Sequence, residues 1–61
     1  MKRSEFIKYL IDHQCILLRE GAKHSIYYNL STGIQATVGR HQELSNLLCK
    51  KICKQLGIPE I

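Results

Sequence analysis

Apolar and polar residues follow two different periods along the 61-residue chain. Near the N-terminus, apolar residues recur at the spacing of one helical face, at Phe6, Ile7, Leu10 and Ile11. Ser4 precedes them as a candidate N-cap, and Glu5 supplies an acid in the first turn. The pattern therefore predicts a first helix over residues 4–13.

Three short segments after this helix have the composition of β-strands. Residues 15–20 form an apolar run, residues 24–28 are rich in aromatic and β-branched side chains, and residues 34–38 alternate apolar with polar. Turn-forming residues occupy 21–23 and 29–33. Connections this short predict a three-stranded antiparallel meander.

A second helix is predicted in the C-terminal third of the chain. It begins between Gln42 and Asn46, with Ser45 or Asn46 as the N-cap, and Gly57 ends it. One apolar stripe recurs at intervals of four residues, at Leu44, Leu48, Ile52 and Leu56. Leu47 fits this stripe badly, so it either precedes the regular helix or is an exposed residue that a partner covers.

The predicted element order is α-β-β-β-α, which places the chain in the α+β class as a single domain over residues 1–61. A chain of this length buries only about 60% of its unfolded surface, so it cannot divide into two cores. Two amphipathic helices that flank a three-stranded sheet should cover one sheet face and leave the other open. The same order is found in double-stranded-RNA-binding domains.

The charge distribution indicates a polyanionic partner. The net charge is +4, and no acid occurs between Glu20 and Glu43. This acid-free window contains two basic residues and two histidines, Lys23, Arg40, His24 and His41. So small a chain cannot enclose a ligand pocket of roughly 300 Å³. Its chemistry is therefore expected at the surface, on a nucleic acid or a partner protein.

The three cysteines favour a reducing compartment. Cys15, Cys49 and Cys53 are odd in number and follow no disulfide framework, so we expect buried thiols in a cytoplasmic protein. A zinc site that combines Cys49 and Cys53 with His13 or His41 lacks the usual paired spacing, and no metal or cofactor is predicted. No segment is apolar over the length of a signal peptide or a membrane span.

His24 is the sharpest candidate for catalysis. It follows the 21–23 turn and opens a predicted strand, with Lys23 beside it. RNA carries its own nucleophile, the 2′-hydroxyl group, so cleavage needs only a base, an acid and cations near the phosphate. An imidazole can act as either base or acid near neutral pH. Spacing alone, however, favours a histidine that merely begins a strand.

Arg40 and His41 form the second candidate. If the third strand runs back beside the second, these residues lie near Lys23 and His24. Arg40 is a candidate clamp for an RNA phosphate, and His41 is a candidate second acid or base. The alternative is a solvated connection in which Arg40 pairs with Glu43.

Aromatic and basic side chains elsewhere give weaker signals. Tyr27 and Tyr28 should face opposite sides of their strand, and Tyr28 is assigned to stacking on an RNA base. Sheet packing explains each tyrosine equally well. The polar side of the second helix carries Lys50, Lys51 and Lys54. These lysines either follow a phosphate backbone or form a solvated face.

Five segments in order resemble the HicA-type toxins of bacterial and archaeal toxin–antitoxin systems. They are residues 1–10, Arg19-Glu20-Gly21 after its apolar strand, Lys23-His24-Ser25-Ile26-Tyr27, Val38-Gly39-Arg40-His41-Gln42-Glu43 and residues 51–59. The fourth is similar to the Val-Pro-Arg-His-x-Glu element of that family. The resemblance implies a double-stranded-RNA-binding-like fold and a ribonuclease that cleaves mRNA. It also implies neutralisation by a HicB-like antitoxin and puts the catalytic histidine of the family at His24.

The chain departs from the family pattern at two positions. Ala22 stands where Gly or Ser is common, which should stiffen the turn before His24. Gly39 stands where Pro is usual, which should loosen the connection that carries Arg40 and His41.

Two hypotheses follow from the sequence. The first is a metal-independent endoribonuclease with His24 as general acid or base and four RNA-contacting residues, Lys23, Tyr28, Arg40 and His41. The alternative is a non-catalytic module of the same fold that binds RNA or a partner protein.

Overall fold

The computed structural model describes all 61 residues and has the predicted α-β-β-β-α order. Its elements are α1 (Arg3–Asp12), β1 (Cys15–Glu20), β2 (His24–Asn29), β3 (Gln35–Gly39) and α2 (Asn46–Leu56). The strands form one antiparallel sheet in the order β1-β2-β3. The predicted fold class is therefore confirmed. Neither helix has the length and apolar character that crossing a membrane requires.

The start of α1 differs from the prediction, because Ser4 lies inside the helix and is not its cap. Lys2 holds the cap position with an extended backbone and makes no side-chain cap bond. The chain segment before α2 pairs with this end instead. The Arg3 amide donates to the Gln42 carbonyl at 2.8 Å, and Lys2 forms a β-bridge with Glu43. Tertiary pairing thus replaces part of the capping that a side chain would supply.

Both ends of α2 follow the sequence signals. Ser45 is the cap, and its hydroxyl accepts a hydrogen bond from the Leu48 amide at 3.1 Å. Gly57 ends the helix with a left-handed backbone of φ 74°, which glycine adopts without strain.

The predicted apolar stripe of α2 is wrong at Leu48, which is 41% exposed. The stripe was counted from Leu44, but that residue precedes the helix. Its backbone is paired instead with Met1, through hydrogen bonds of 2.9 Å in both directions. The other members of the stripe within α2, Ile52 and Leu56, are buried as predicted, together with Cys49 and Cys53.

The core lies between the two helices and one face of the sheet. Its buried members are Phe6, Leu10, Cys15, Tyr27, Ala36, Val38, Leu44, Cys49, Ile52, Cys53 and Leu56. All three cysteines are free and buried, as predicted. Burial raises the pKa of each thiol, so they pack as small apolar side chains. The predicted α1 stripe is wrong at Ile11, which is 53% exposed.

The opposite side of the sheet has no helix over it and is called the open face. The strand register assigns it Ile16, Arg19, His24, Ile26, Tyr28, Gln35 and Thr37. The two tyrosines separate as predicted, because Tyr27 is buried in the core and Tyr28 is half-buried on the open face.

Candidate active site

His24 begins β2 at the rim of the open face. Its backbone is held on two sides, because it pairs with Gly39 across the sheet and its carbonyl accepts from the Gly21 amide at 2.8 Å. Its side chain is exposed to solvent. The sheet therefore fixes the main chain of this histidine and leaves the imidazole accessible to a substrate.

The turn before His24 favours glycine at one position, Gly21. A Cβ at Gly21 would lie 3.0 Å from the His24 carbonyl oxygen, closer than side-chain carbons normally approach backbone. Ala22, which stands where the family commonly has Gly or Ser, causes no comparable strain. Gln14 is the one non-glycine residue with positive φ, so Ala22 keeps an ordinary backbone.

Gly39 lies directly opposite His24 and brings His41 next to it. Directly opposed residues of an antiparallel pair share a face, with Cβ atoms about 5 Å apart. A Cβ at Gly39 would lie 3.9 Å from Cδ2 of His41. The His41 ring therefore lies beside the position that a Gly39 side chain would occupy. The structure brings the two histidines together, as the predicted strand direction required.

Arg40 reaches back across the β1–β2 hairpin. Its Nη2 atom donates to a carboxylate oxygen of Glu20 at 2.8 Å, to the His24 carbonyl at 3.2 Å and to the Gly21 carbonyl. Its Nη1 atom donates to the Ala22 carbonyl at 3.2 Å. The guanidinium thus holds the turn that carries His24.

The Arg40 guanidinium keeps donors for a ligand. A guanidinium has five N–H groups, and neither Nε–H nor the second hydrogen on Nη1 is used within the chain. Arg40 does not pair with Glu43, so the alternative considered from the sequence is wrong. The Glu43 carboxylate lies 3.3 Å from the N-terminal ammonium of Met1 instead.

A chain of hydrogen bonds behind the hairpin was missed by sequence reasoning. Arg3 Nη2 donates to Ser25 Oγ at 3.0 Å, and Ser25 Oγ donates to Glu20 Oε1 at 2.6 Å. The same Glu20 oxygen accepts from Arg40, while Arg3 Nε donates to the Gly39 carbonyl at 2.7 Å. The bonds from Ser25 and Arg40 lower the pKa of Glu20. The one sequence feature that could have indicated this hydrogen-bond chain is Ser25, a polar residue at a core-facing position of β2.

Gly39 was expected to loosen the connection that carries Arg40 and His41. The hydrogen bond from Arg3 to the Gly39 carbonyl acts against this. Gly39 closes β3 in a regular pairing, and its backbone φ is not positive. Arg3 anchors its carbonyl from α1. The backbone that leads to Arg40 is therefore held by tertiary hydrogen bonds without a proline.

Lys23 and Tyr28 extend the site in two directions. Lys23 is exposed in the turn next to His24. Tyr28 is four residues further along β2 on the same open face. At about 3.3 Å per residue, His24 and Tyr28 are roughly 13 Å apart. The row from His24 through Ile26 to Tyr28 offers a surface on which an extended chain can lie.

An open hollow of about 530 Å³ adjoins Arg40 and has no apolar residue in its lining. It is lined by Lys2, Arg3, Ser4, Arg40, Gln42 and Glu43. Three of these side chains are cations. Sequence reasoning did not include Lys2 and Arg3 in the site, because the pairing of the α1 start with the residue 42–44 segment was not predicted. No group of three or more His, Cys, Asp or Glu side chains is placed to hold a metal ion.

Fold and site together define a small α+β domain of the double-stranded-RNA-binding type, with two histidines and several basic side chains at one end of its open sheet face. A protein-family model described as the HicA toxin of bacterial toxin–antitoxin systems matches residues 3–58. The chain therefore belongs to the HicA toxin family. The matched range includes all five elements and the site residues predicted from the sequence, which are Lys23, His24, Tyr28, Arg40 and His41. No curated protein and no solved structure matches significantly.

Proposed function

We propose that this toxin is an endoribonuclease that cleaves mRNA without a metal ion, with His24 as a general acid or base. The observation that carries the proposal is the exposed His24 imidazole, with His41 beside it across Gly39. Membership of the HicA toxin family supports it. Because the substrate is mRNA, the proposed location is the cytoplasm.

Two imidazoles can supply both proton transfers of RNA cleavage. The 2′-oxygen attacks the adjacent phosphorus as one imidazole accepts its proton. The bond from phosphorus to the 5′-oxygen breaks, and that oxygen takes a proton from the other imidazole. The products are a 2′,3′-cyclic phosphate and a 5′-hydroxyl end. A well-placed proton-transfer group contributes about 10²–10⁴-fold to the rate. In this proposal His24 performs one transfer and His41 the other.

Basic and aromatic neighbours of His24 are proposed to bind the RNA chain. Lys23 and the unused donors of Arg40 meet phosphate oxygens, where a fixed cation stabilises the charge that develops on phosphorus. Tyr28 stacks on a base further along β2. The hollow beside Arg40 offers the Lys2 ammonium to a second phosphate.

The proposed protein partner is a HicB-like antitoxin that neutralises the toxin. Two adjacent leucines on α2 support such a partner, because Leu47 is 65% exposed and Leu48 is 41% exposed. Adjacent apolar side chains in water favour a protein contact. Leu47 lies inside α2 and is exposed, so it does not precede the regular helix. A partner that covers it is part of this proposal.

Cleavage of a single-stranded RNA in the presence of a chelator tests the proposed activity. The wild-type protein should release fragments that end in 2′,3′-cyclic phosphate. His24→Ala and His41→Ala should each lower the rate by 10²-fold or more. His13→Gln is the matched control, since the His13 ring is bonded to the Tyr9 carbonyl at 2.9 Å at the end of α1. This variant should cleave at the wild-type rate.

Three results would contradict parts of the proposal. Equal cleavage by wild type and His24→Ala would remove His24 from the mechanism. Loss of wild-type cleavage in the chelator would show that a metal ion is needed. No cleavage by any variant, with RNA binding intact, would favour the non-catalytic binding module.

A further inference from the structure

Glu20 is an acid inside a surface that is otherwise suited to a polyanion. Its carboxylate lies at the end of β1, directly before the turn that leads to His24. A negative charge at this place repels RNA phosphates, and its presence is unfavourable for RNA binding. The hydrogen bonds of Glu20 to Ser25 and Arg40 indicate a structural contribution instead.

One oxygen of Glu20 joins two parts of the site. It accepts from the Ser25 hydroxyl at 2.6 Å and from the Arg40 guanidinium at 2.8 Å. Ser25 is fully buried and also accepts from Arg3. The carboxylate is therefore held from the core side by a rigid hydroxyl, and it in turn holds Arg40.

The position of Arg40 determines how tightly the turn is held. Its guanidinium contacts the carbonyls of Gly21, Ala22 and His24 at the same time. A guanidinium spreads one charge over a planar fork, so a carboxylate on one side fixes its orientation over several acceptors. Without Glu20, the guanidinium keeps only the three backbone carbonyls of the turn as acceptors.

We propose that Glu20 is a positioning residue, which fixes His24 through Arg40 and the carbonyls of the turn. The proposal rests on the ribonuclease function proposed above. The same hydrogen-bond chain reaches the strand opposite, because Arg3 binds both Ser25 and the Gly39 carbonyl. Glu20 thereby sets the separation of His24 from His41. A displacement of about 1 Å at a reacting group can lower a rate by about 10²-fold.

Single-turnover cleavage at saturating protein measures this effect, with Glu20→Ala and Glu20→Gln as the variants. Glu60→Gln is the control, because it removes the same charge and Glu60 is in neither of the two ion pairs of the chain. RNA affinity is measured in a His24→Ala background, and hydrogen exchange reports the amides of residues 21–24.

Glu20→Ala should cleave at least tenfold more slowly, with RNA affinity within twofold of its parent or tighter. Amide exchange should accelerate within residues 21–24 and stay unchanged in α2. Glu20→Gln keeps an oxygen acceptor for Ser25 and Arg40, so it should recover part of the rate. In the His24→Ala background, Glu20→Ala should cause no further loss of cleavage.

If Glu20→Ala cleaves RNA at the wild-type rate, the proposal is overturned, whether or not RNA affinity rises. Glu20 would then be a simple repulsive charge. A rate loss that only matches a loss of folded protein would also overturn it. If the wild type does not cleave RNA at all, the proposed function fails separately. Amide exchange in residues 21–24 then decides whether Glu20 holds the turn.

Discussion

Glu20 also couples folding to pH, through the Ser25 and Arg40 hydrogen bonds that lower its pKa from an ordinary value of 4.5. A carboxyl group with a lowered pKa in the folded state stabilises that state above its unfolded pKa, and the contribution disappears as pH falls through the folded pKa. Wild type should therefore have a higher Tm than Glu20→Gln at pH 7. The difference should shrink as pH falls below this ordinary value of 4.5.

Thermal unfolding followed by circular dichroism between pH 7 and pH 3 measures this difference. Glu60→Gln again removes one carboxylate without an ion pair and should show little pH-dependent change relative to wild type. A Tm difference for Glu20→Gln that stays constant down to pH 3 would mean that ionisation of Glu20 does not contribute.

Residue types explain which parts of the site could be predicted from the sequence. His24, Lys23 and Arg40 could be chosen as candidates from the sequence because imidazole groups transfer protons near neutral pH and ammonium and guanidinium groups bind phosphate. The Arg3–Ser25–Glu20 chain was not predicted, because it joins residues up to 22 positions apart and depends on the exact strand register. Serine and glutamate are also common surface residues, so their type carried little information.

Elements were predicted more accurately where the local pattern decides their limits. The strands were found within one residue at each end, because period-two patterning and the turn segments are local signals. The N-cap of α1 and the exposure of Leu48 on α2 were predicted wrongly. Both depend on pairing between the N-terminus and residues 42–44, which lie far apart in the chain.

A substitution at Leu47 on the exposed side of α2 tests the proposed antitoxin contact. Leu47→Lys should weaken the complex with a co-expressed HicB-like protein by tenfold or more, because a charge would enter an apolar contact. Its free energy of unfolding should change by less than about 0.5 kcal/mol, since the side chain is 65% exposed.

Binding of the two purified proteins by calorimetry gives the affinity, and Leu30→Lys is the matched control. Leu30 is 53% exposed in the turn between β2 and β3, so the chemical change is the same at a different surface. An unchanged affinity for Leu47→Lys would move the proposed contact away from α2. RNA cleavage by the free toxin should be normal in both variants.

The whole molecule is thin, with extents of 27 × 26 × 16 Å, and so has two broad sides. The side of the sheet carries the two site histidines, with Lys23 exposed in the turn next to His24. The side of the helices carries the exposed lysines of α2, which are Lys50, Lys51 and Lys54. Overall charge therefore favours RNA on either side. The position of His24 favours the sheet side, because this exposed histidine begins β2 there and directly follows Lys23 in the chain.

The salt dependence of RNA affinity distinguishes the two sides. Each phosphate contact to a single strand contributes about 0.7 to the slope of log affinity against log salt. In a His24→Ala background, Lys23→Ala should weaken binding and reduce the slope by about 0.7, whereas Lys51→Ala should leave the slope unchanged. The opposite pattern would place RNA on α2. Because the two variants have the same net charge, a difference between their slopes reports where the phosphates lie rather than the total field of the protein.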